Sequence, residues 1–164
     1  MCIRDSINRE VAGVKQLSSI EDEYKGVRQG TGVADNRYST HSQTTITTAS
    51  KIIVMSAAEV WFLRAKAALR YNTGDDVENC YKQGVTVSFA QWDANGVSDY
   101  LESDNIPAAY VDVFDAKFNA DAPSTITPKW DNTADKEEKL ERIITQKWLA
   151  LYPEGCEAWA EQRR

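Results

Sequence analysis

The chain has 164 residues, a formal net charge of −6, 42% apolar residues and five tryptophans. This length and apolar content suffice for one domain with a buried core. The negative charge argues against a nucleic-acid or anionic-membrane surface, because both require clustered lysine and arginine. No run of about 20 apolar residues occurs, so the sequence predicts no membrane-spanning helix. The three cysteines are widely spaced and predict no disulfide framework.

The first 50 residues carry weak structural signals. Residues 1–6 lack the apolar run of a signal peptide, and we interpret them as a non-native scar. Residues 7–50 are polar, punctuated by glycines and rich in hydroxyls, so we predict a loop-rich segment. Residues 51–164 carry the helical patterns and form the region that we expect to fold as helices.

The first strong helical pattern covers 57–71. Ser56 is a suitable N-cap, and Glu59 follows three residues later, as in a capping box. Glu59, Lys66 and Arg70 fall on one narrow stripe, and apolar residues cover most of the remaining surface. A helix that is apolar on most sides is expected to be buried between neighbours.

Three further helices are predicted over 76–92, 135–151 and 154–163, from apolar residues that recur every three or four positions. Residues 104–132 hold three of the four prolines and form a long connection, within which we predict a helix over 108–118. The short loops between successive helices predict antiparallel hairpins of tetratricopeptide type, without a clean 34-residue repeat. The fold class is therefore all-α, with long irregular connections and little strand.

The last helical pattern continues to the final residue without a stop signal, so we expect a domain truncated at its C-terminus.

Residues for metal or nucleophilic chemistry are scarce. His41 is the single histidine, and neither Cys-x-x-Cys nor His-x-x-x-His spacing occurs, so we predict no metal site. A nucleophilic pair would have to join His41 to Cys80 or Cys156, and we expect an ordinary exposed histidine instead. The glycines form no phosphate-binding loop, and we predict no cofactor.

Aromatic side chains are the remaining candidates for ligand contact. Four tryptophans lie on apolar helical faces and are expected in the core. Trp130, Tyr110 and Tyr100 lie in loop-rich sequence and are weak candidates for stacking on a sugar ring, although burial is the more frequent role of such residues.

Two charged residues lie inside apolar helical arcs. An unpaired buried charge would cost several kcal/mol, so Arg64 and Lys147 must extend to solvent or meet a carboxylate. Glu157 and Glu161 are plausible partners. We predict a buried structural ion pair between Arg64 and Glu157.

A series of motifs resembles the SusD/RagB family of nutrient-binding outer-membrane lipoproteins. The first is Met55-Ser-Ala-Ala-Glu59 followed by Phe62-Leu-Arg-Ala65. The next are Tyr81-Lys-Gln-Gly-Val85 with Phe89-Ala-Gln-Trp92, then Tyr100-Leu101. The last are Thr125-Ile-Thr-Pro-Lys-Trp130, Leu140 to Trp148, Glu157-Ala-Trp159 and Arg163-Arg164. Lys66, where the family usually has glutamate, and Pro128 depart from the family pattern.

The resemblance implies an α-helical fold with tetratricopeptide-like units and no enzymatic activity. It implies capture of glycans or other nutrients at the cell surface, and delivery to a TonB-dependent SusC-type transporter. The full-length parent would be held at the outer membrane by a lipid anchor, and its signal and anchor are missing from this chain. No motif of the family transfers a ligand residue to this sequence.

Two alternatives stay open. One is a helical-repeat scaffold that binds a protein partner and no nutrient, which an apolar groove without convergent polar groups would favour. The other is a carbohydrate-active enzyme, which two carboxylates facing each other across a cleft, one with a raised pKa, would favour.

Overall fold

The computed structural model describes residues 14–15, 43–44, 52–112 and 115–162. Five α-helices lie in these ranges: α1 Ala57–Tyr71, α2 Val77–Gln91, α3 Val97–Leu101, α4 Lys136–Ala150 and α5 Gly155–Gln162. The short strands β1, Val14–Lys15, and β2, Gln43–Thr44, pair antiparallel with Val14 opposite Thr44. The all-α prediction is confirmed, and the four long predicted helices match α1, α2, α4 and α5 to within one residue at each end.

Side-chain caps explain where the long helices begin. Ser56 accepts a hydrogen bond from the Glu59 backbone N–H, as the capping-box spacing predicts. Asp76 and Asp135 accept the equivalent bonds at the starts of α2 and α4. At the end of α1, Asn72 adopts the left-handed conformation, and its N–H donates to the Ala68 carbonyl.

The centre of the core is the interface between α1 and α2. Gly84 faces Phe62 so closely that a Cβ built on the glycine would lie 2.7 Å from ring carbons of Phe62. The Phe62 ring also meets Tyr81 edge-on at 6.2 Å between centroids. α4 packs against both helices and adds Ile143, whose side chain is buried. Helices α1, α2 and α4 therefore share one apolar core.

The predicted helix over 108–118 is wrong. Tyr110 and Ala120 exchange two backbone hydrogen bonds as an isolated antiparallel bridge, and a single 3₁₀ turn covers Ala116–Phe118. The Asp112 carboxylate accepts the Asp115 N–H, and the Asp112 N–H donates to the Asn119 side chain. These hydrogen bonds between side chains and the backbone compete with the hydrogen bonds of an α-helix. Helix propensity alone does not account for this competition.

Candidate functional site

A buried group of four charged side chains joins α1, α4 and α5. We call it the ion network: Glu59 and Lys66 on α1, Lys147 on α4 and Glu161 on α5. Lys147 Nζ donates to Glu161 Oε2 at 2.9 Å and lies 3.5 Å from Glu59 Oε1. The ammonium group of Lys66 contacts the other oxygen of Glu161. Of the two outcomes expected for Lys147, extension to solvent or pairing with a carboxylate, the structure has the second, with Glu161 as the partner.

The electrostatics of the network depend on Glu161, whose side chain is completely buried. Burial raises the pKa of this carboxyl, but the hydrogen bonds from Lys66 and Lys147 outweigh it and leave the pKa below its ordinary value. Because two lysines balance two glutamates, the network is neutral overall. The network is therefore a structural connection that holds α5 against α1 and α4.

Beside the network lies a groove of about 570 Å³, which we call the α5 groove. Its walls come from the segment before α1, the end of α2, and the connection between α4 and α5. The lining residues are Ile53, Val54, Met55, Ser56, Glu59, Gln91, Ala150, Leu151, Tyr152, Glu154, Cys156 and Glu157. This volume lies within the range of small-molecule sites, which combine apolar walls with a few convergent polar groups.

Glu59 belongs to both the ion network and the α5 groove. Its backbone N–H is used by the cap, yet its carboxylate accepts no hydrogen bond from the described residues. The 3.5 Å separation from Lys147 exceeds the distance of a charge-assisted hydrogen bond, about 2.8 Å. Glu59 is nine-tenths buried and therefore offers the groove a fixed carboxylate with acceptor capacity to spare.

An aromatic pair stands at the rim of the α5 groove. Tyr152 lines the groove, and its ring packs against that of Trp92 at 5.8 Å between centroids. Both side chains are partly exposed. Gln91 lines the groove next to Trp92 in sequence, so an amide accompanies this aromatic surface.

The three aromatic candidates from the sequence are not brought together. Trp130 and Tyr100 are 8% and 7% exposed and belong to the core cluster. The Trp130 indole N–H donates to Asn132, and the Tyr100 hydroxyl is hydrogen-bonded to Gln146. Their rings are therefore occupied by packing and present no free face for a sugar.

Tyr110 differs from those two residues because its side chain is only partly buried. Its hydroxyl donates to Asp112 Oδ2 at 3.2 Å, and its backbone pairs with Ala120 in the connection before α4. It remains the one aromatic candidate of the three whose exposure suits ligand contact.

The predicted buried pair between Arg64 and Glu157 is not present. Arg64 instead makes two hydrogen bonds to Asp75, at 2.6 and 3.1 Å, and its guanidinium lies over the Trp61 ring. The pair is largely exposed, and Glu157 lies on the surface beside the groove. The short loop after α1 returns Asp75 to the side of the helix that carries Arg64, which gives the guanidinium a nearer partner than α5.

In the described ranges, no three His, Cys, Asp or Glu residues are grouped so that they could hold a metal ion. His41, expected to be an ordinary exposed histidine, lies outside the described residues. No helix in 52–112 or 115–162 is long and apolar enough to cross a bilayer.

Sequence reasoning missed the α5 groove. Glu59 and Gln91 lie in motifs of the family resemblance that predicted no ligand contact, and Tyr152 and Glu154 carry no motif. The available signal was the break between α4 and α5, where Pro153 and Gly155 interrupt two helical patterns. Nothing in the pattern indicated that the segment before α1 would lie beside this break.

Comparison with known proteins identifies the family. The family described as SusD-like, the SusD and RagB outer membrane lipoproteins, matches residues 6–164. The chain therefore belongs to the SusD/RagB family, whose members are outer-membrane lipoproteins. The matched region also includes residues 7–50. No curated protein sequence matches the chain.

Solved structures of this family share the fold. A SusD homologue from Bacteroides thetaiotaomicron is 36% identical with a TM-score of 0.85, covering 95% of this chain and 34% of its own. A chitin-binding SusD homologue from Flavobacterium johnsoniae is 36% identical with a TM-score of 0.86, covering 98% and 36%. A SusD homologue from Bacteroides vulgatus is 40% identical with a TM-score of 0.81, covering 93% and 33%. The chain thus spans about one third of these relatives' length.

Proposed function

We propose that this chain is part of a non-catalytic protein that captures glycans or other nutrients at the cell surface. In this proposal the full-length protein is lipid-anchored in the outer membrane and delivers its ligand to a TonB-dependent SusC-type transporter. The observation that carries the proposal is the family match over residues 6–164, together with a chitin-binding homologue of the same fold at 36% identity.

The α5 groove supports a binding role over a purely scaffolding one. A surface for a protein partner alone would be apolar without convergent polar groups. Here Glu59, Gln91 and Tyr152 meet in one concave site, and such a combination suits the hydroxyls and the C–H faces of a sugar. Tyr110 is a further proposed contact, in a separate part of the chain.

The carboxyl groups support a non-catalytic role. A glycosidase requires one carboxyl with a raised pKa that can act as an acid. Five carboxyls among the described residues have a lowered pKa, namely Asp75, Glu78, Asp115, Asp131 and Glu161. Cations or hydrogen-bond donors beside these groups cause the lowering, which is the opposite of what general acid chemistry needs.

The test is binding of the full-length protein that contains this chain to a panel of soluble polysaccharides by retardation in native gels, with reducing-sugar assays in parallel. We expect retardation by at least one glycan and no release of reducing ends. Absence of retardation by every glycan in the panel would contradict the capture role. Release of reducing ends would contradict the non-catalytic one.

A further inference from the structure

Helix α5 buries very little apolar surface. Of the side chains that the structure describes on this helix, the buried ones are Ala158 and Glu161, which are 6% and 0% exposed. Ala160 is partly buried, and Trp159, the largest apolar side chain of the helix, is 64% exposed. Because hydrophobic stabilisation scales with the apolar area removed from water, the contribution of one methyl group is small. Apolar packing therefore holds α5 weakly.

Charged contacts at Glu161 join α5 to its neighbours. The carboxylate of Glu161 meets Lys66 from α1 and Lys147 from α4, and Glu59 of α1 lies 3.5 Å from the same Lys147 ammonium. Glu157, on the exposed side of α5, makes no ion pair with the described residues. Loss of the Glu161 charge leaves buried ammonium groups undercompensated while α5 stays docked, whereas undocking returns them to water.

The rest of the helical core does not depend on α5. The core cluster of the described residues is built from α1, α2, α3, α4 and their connections, and includes no α5 side chain. A turn over 151–154 joins α4 to α5, and its hydrogen bond runs from the Glu154 N–H to the Leu151 carbonyl within the turn itself. A helix of eight residues is not stable alone in water, so α5 unfolds when it undocks.

We infer that α5 opens as a separate unit while α1, α2 and α4 stay folded, and that the Glu161 carboxylate is the contact that keeps it closed. Opening removes the part of the α5 groove wall that Cys156 and Glu157 supply. The pKa of Glu161 is lowered in the docked state, so the contact is lost progressively as pH falls below the ordinary glutamate value of about 4.3. This inference concerns a motion and goes beyond the proposed capture of a ligand.

The experiment is hydrogen exchange of the full-length protein that contains this chain, followed by mass spectrometry. At pH 7, the α5 amides should be protected at least about tenfold less than those of α2, because a local opening is less costly than opening the core. After correction for the intrinsic exchange rate, the protection of α5 should fall below about pH 4.3 while α2 remains protected. Equal protection of α5 and α2 at every pH would mean that they open together, which would overturn the inference.

A pair of variants on α5 tests the role of Glu161. Glu161→Gln keeps the side-chain shape and removes the charge, so α5 protection at pH 7 should fall by about a hundredfold or more, as expected when one partner of a buried ion pair is lost. Its remaining protection should no longer depend on pH, and α2 should stay the better protected helix. The matched control, Glu157→Gln, removes an exposed charge from the same helix and should change α5 protection by less than about twofold.

Two results with the variants would also overturn the inference. One is an equal loss of α5 protection in Glu161→Gln and Glu157→Gln, which would mean that the buried contact has no special role. The other is equal exchange of α5 and α2 in Glu161→Gln, which would mean that the whole core opens with α5. If Glu161→Gln does not fold, the comparison of α5 with α2 in the wild-type protein still decides whether α5 opens separately.

Discussion

Helix α1 carries ion pairs at two very different depths. Lys66 reaches Glu161 in the interior, where the two side chains are 12% and 0% exposed. Arg64, two positions earlier, pairs with Asp75 at the surface, where the side chains are 44% and 32% exposed. Both pairs bring a cationic nitrogen into contact with a carboxylate oxygen. The depth of a pair decides how much stability is lost when one partner is removed. The remaining charge is left desolvated only in the interior.

The largest effect is expected at the buried pair. Glu161→Gln should lower the free energy of unfolding by about 3–5 kcal/mol, because it leaves the ammonium groups of Lys66 and Lys147 with only Glu59 as a counter-charge. A loss of this size is a large fraction of a typical domain's stability. Urea unfolding followed by circular dichroism measures it.

The control for that variant is Glu157→Gln on the same helix, where the carboxylate is exposed and has no ion pair among the described residues. It should change the free energy of unfolding little. If both variants lose the same free energy of unfolding, the stability of α5 responds to any change of charge. Burial would then not explain the difference between the two ion pairs of α1.

The apolar contact between Gly84 on α2 and Phe62 on α1 gives a second energy for comparison. Gly84→Ala places a methyl group 2.7 Å from the Phe62 ring, so the ring or the helices must move. Overpacking costs about 1–3 kcal/mol, and the higher helix propensity of alanine recovers about 1 kcal/mol. We therefore expect a net loss of about 0–2 kcal/mol, smaller than at Glu161.

Gly155→Ala at the start of α5 is the matched control for Gly84→Ala. A Cβ there would meet no atom within 4 Å. The variant should leave the free energy of unfolding unchanged or raise it slightly, because alanine restricts the unfolded chain more than glycine does. A stabilising Gly84→Ala would show that the α1–α2 interface has room that the structure does not contain.

The pH dependence of the free energy of unfolding should show that the effect at the buried pair is ionic. The pKa of Glu161 is lowered in the folded state, so its contribution to stability is present above the ordinary glutamate pKa of about 4.3 and is lost as pH falls through the folded value. The difference in unfolding free energy between wild type and Glu161→Gln should therefore be largest near pH 7. It should shrink below about pH 4.3. A difference that stayed constant down to pH 3 would contradict the ionic origin of the effect.

The sequence predicted the helices because their signals are local. Ser56 and Glu59 have the spacing of a capping box, and the apolar residues of the long helices recur with helical period; these signals need no knowledge of tertiary structure. For Lys147 the apolar arc left two outcomes, extension to solvent or pairing with a carboxylate, and only the packing of α5 decides between them.

Other features depend on how distant segments meet. Arg64 lies in an apolar arc by helical period, yet α1 leaves that part of its surface uncovered, so the guanidinium reaches Asp75 at the surface. The α5 groove is assembled from segments that are distant in the sequence, and no local pattern specifies that arrangement. The burial of Trp130 against Tyr81 is likewise a tertiary contact between loop and helix. Helical periodicity and capping residues therefore predict the helices, whereas the α5 groove forms only when those helices pack together.

The smallest effect is expected at the exposed pair. Asp75→Asn removes the carboxylate that holds the pKa of Arg64 above its usual value, but the guanidinium keeps its contact with solvent and its position over the Trp61 ring, 4.4 Å from the centroid. Nothing is left desolvated, so the urea midpoint should shift less than for Gly84→Ala, and added salt should erase the difference from wild type. A double-mutant cycle with Arg64→Met isolates the coupling between the two side chains. The equivalent cycle on Lys147 and Glu161 gives the coupling energy of the buried pair. If the two coupling energies are equal, exposure does not weaken the Arg64–Asp75 pair, and depth is the wrong basis for the comparison.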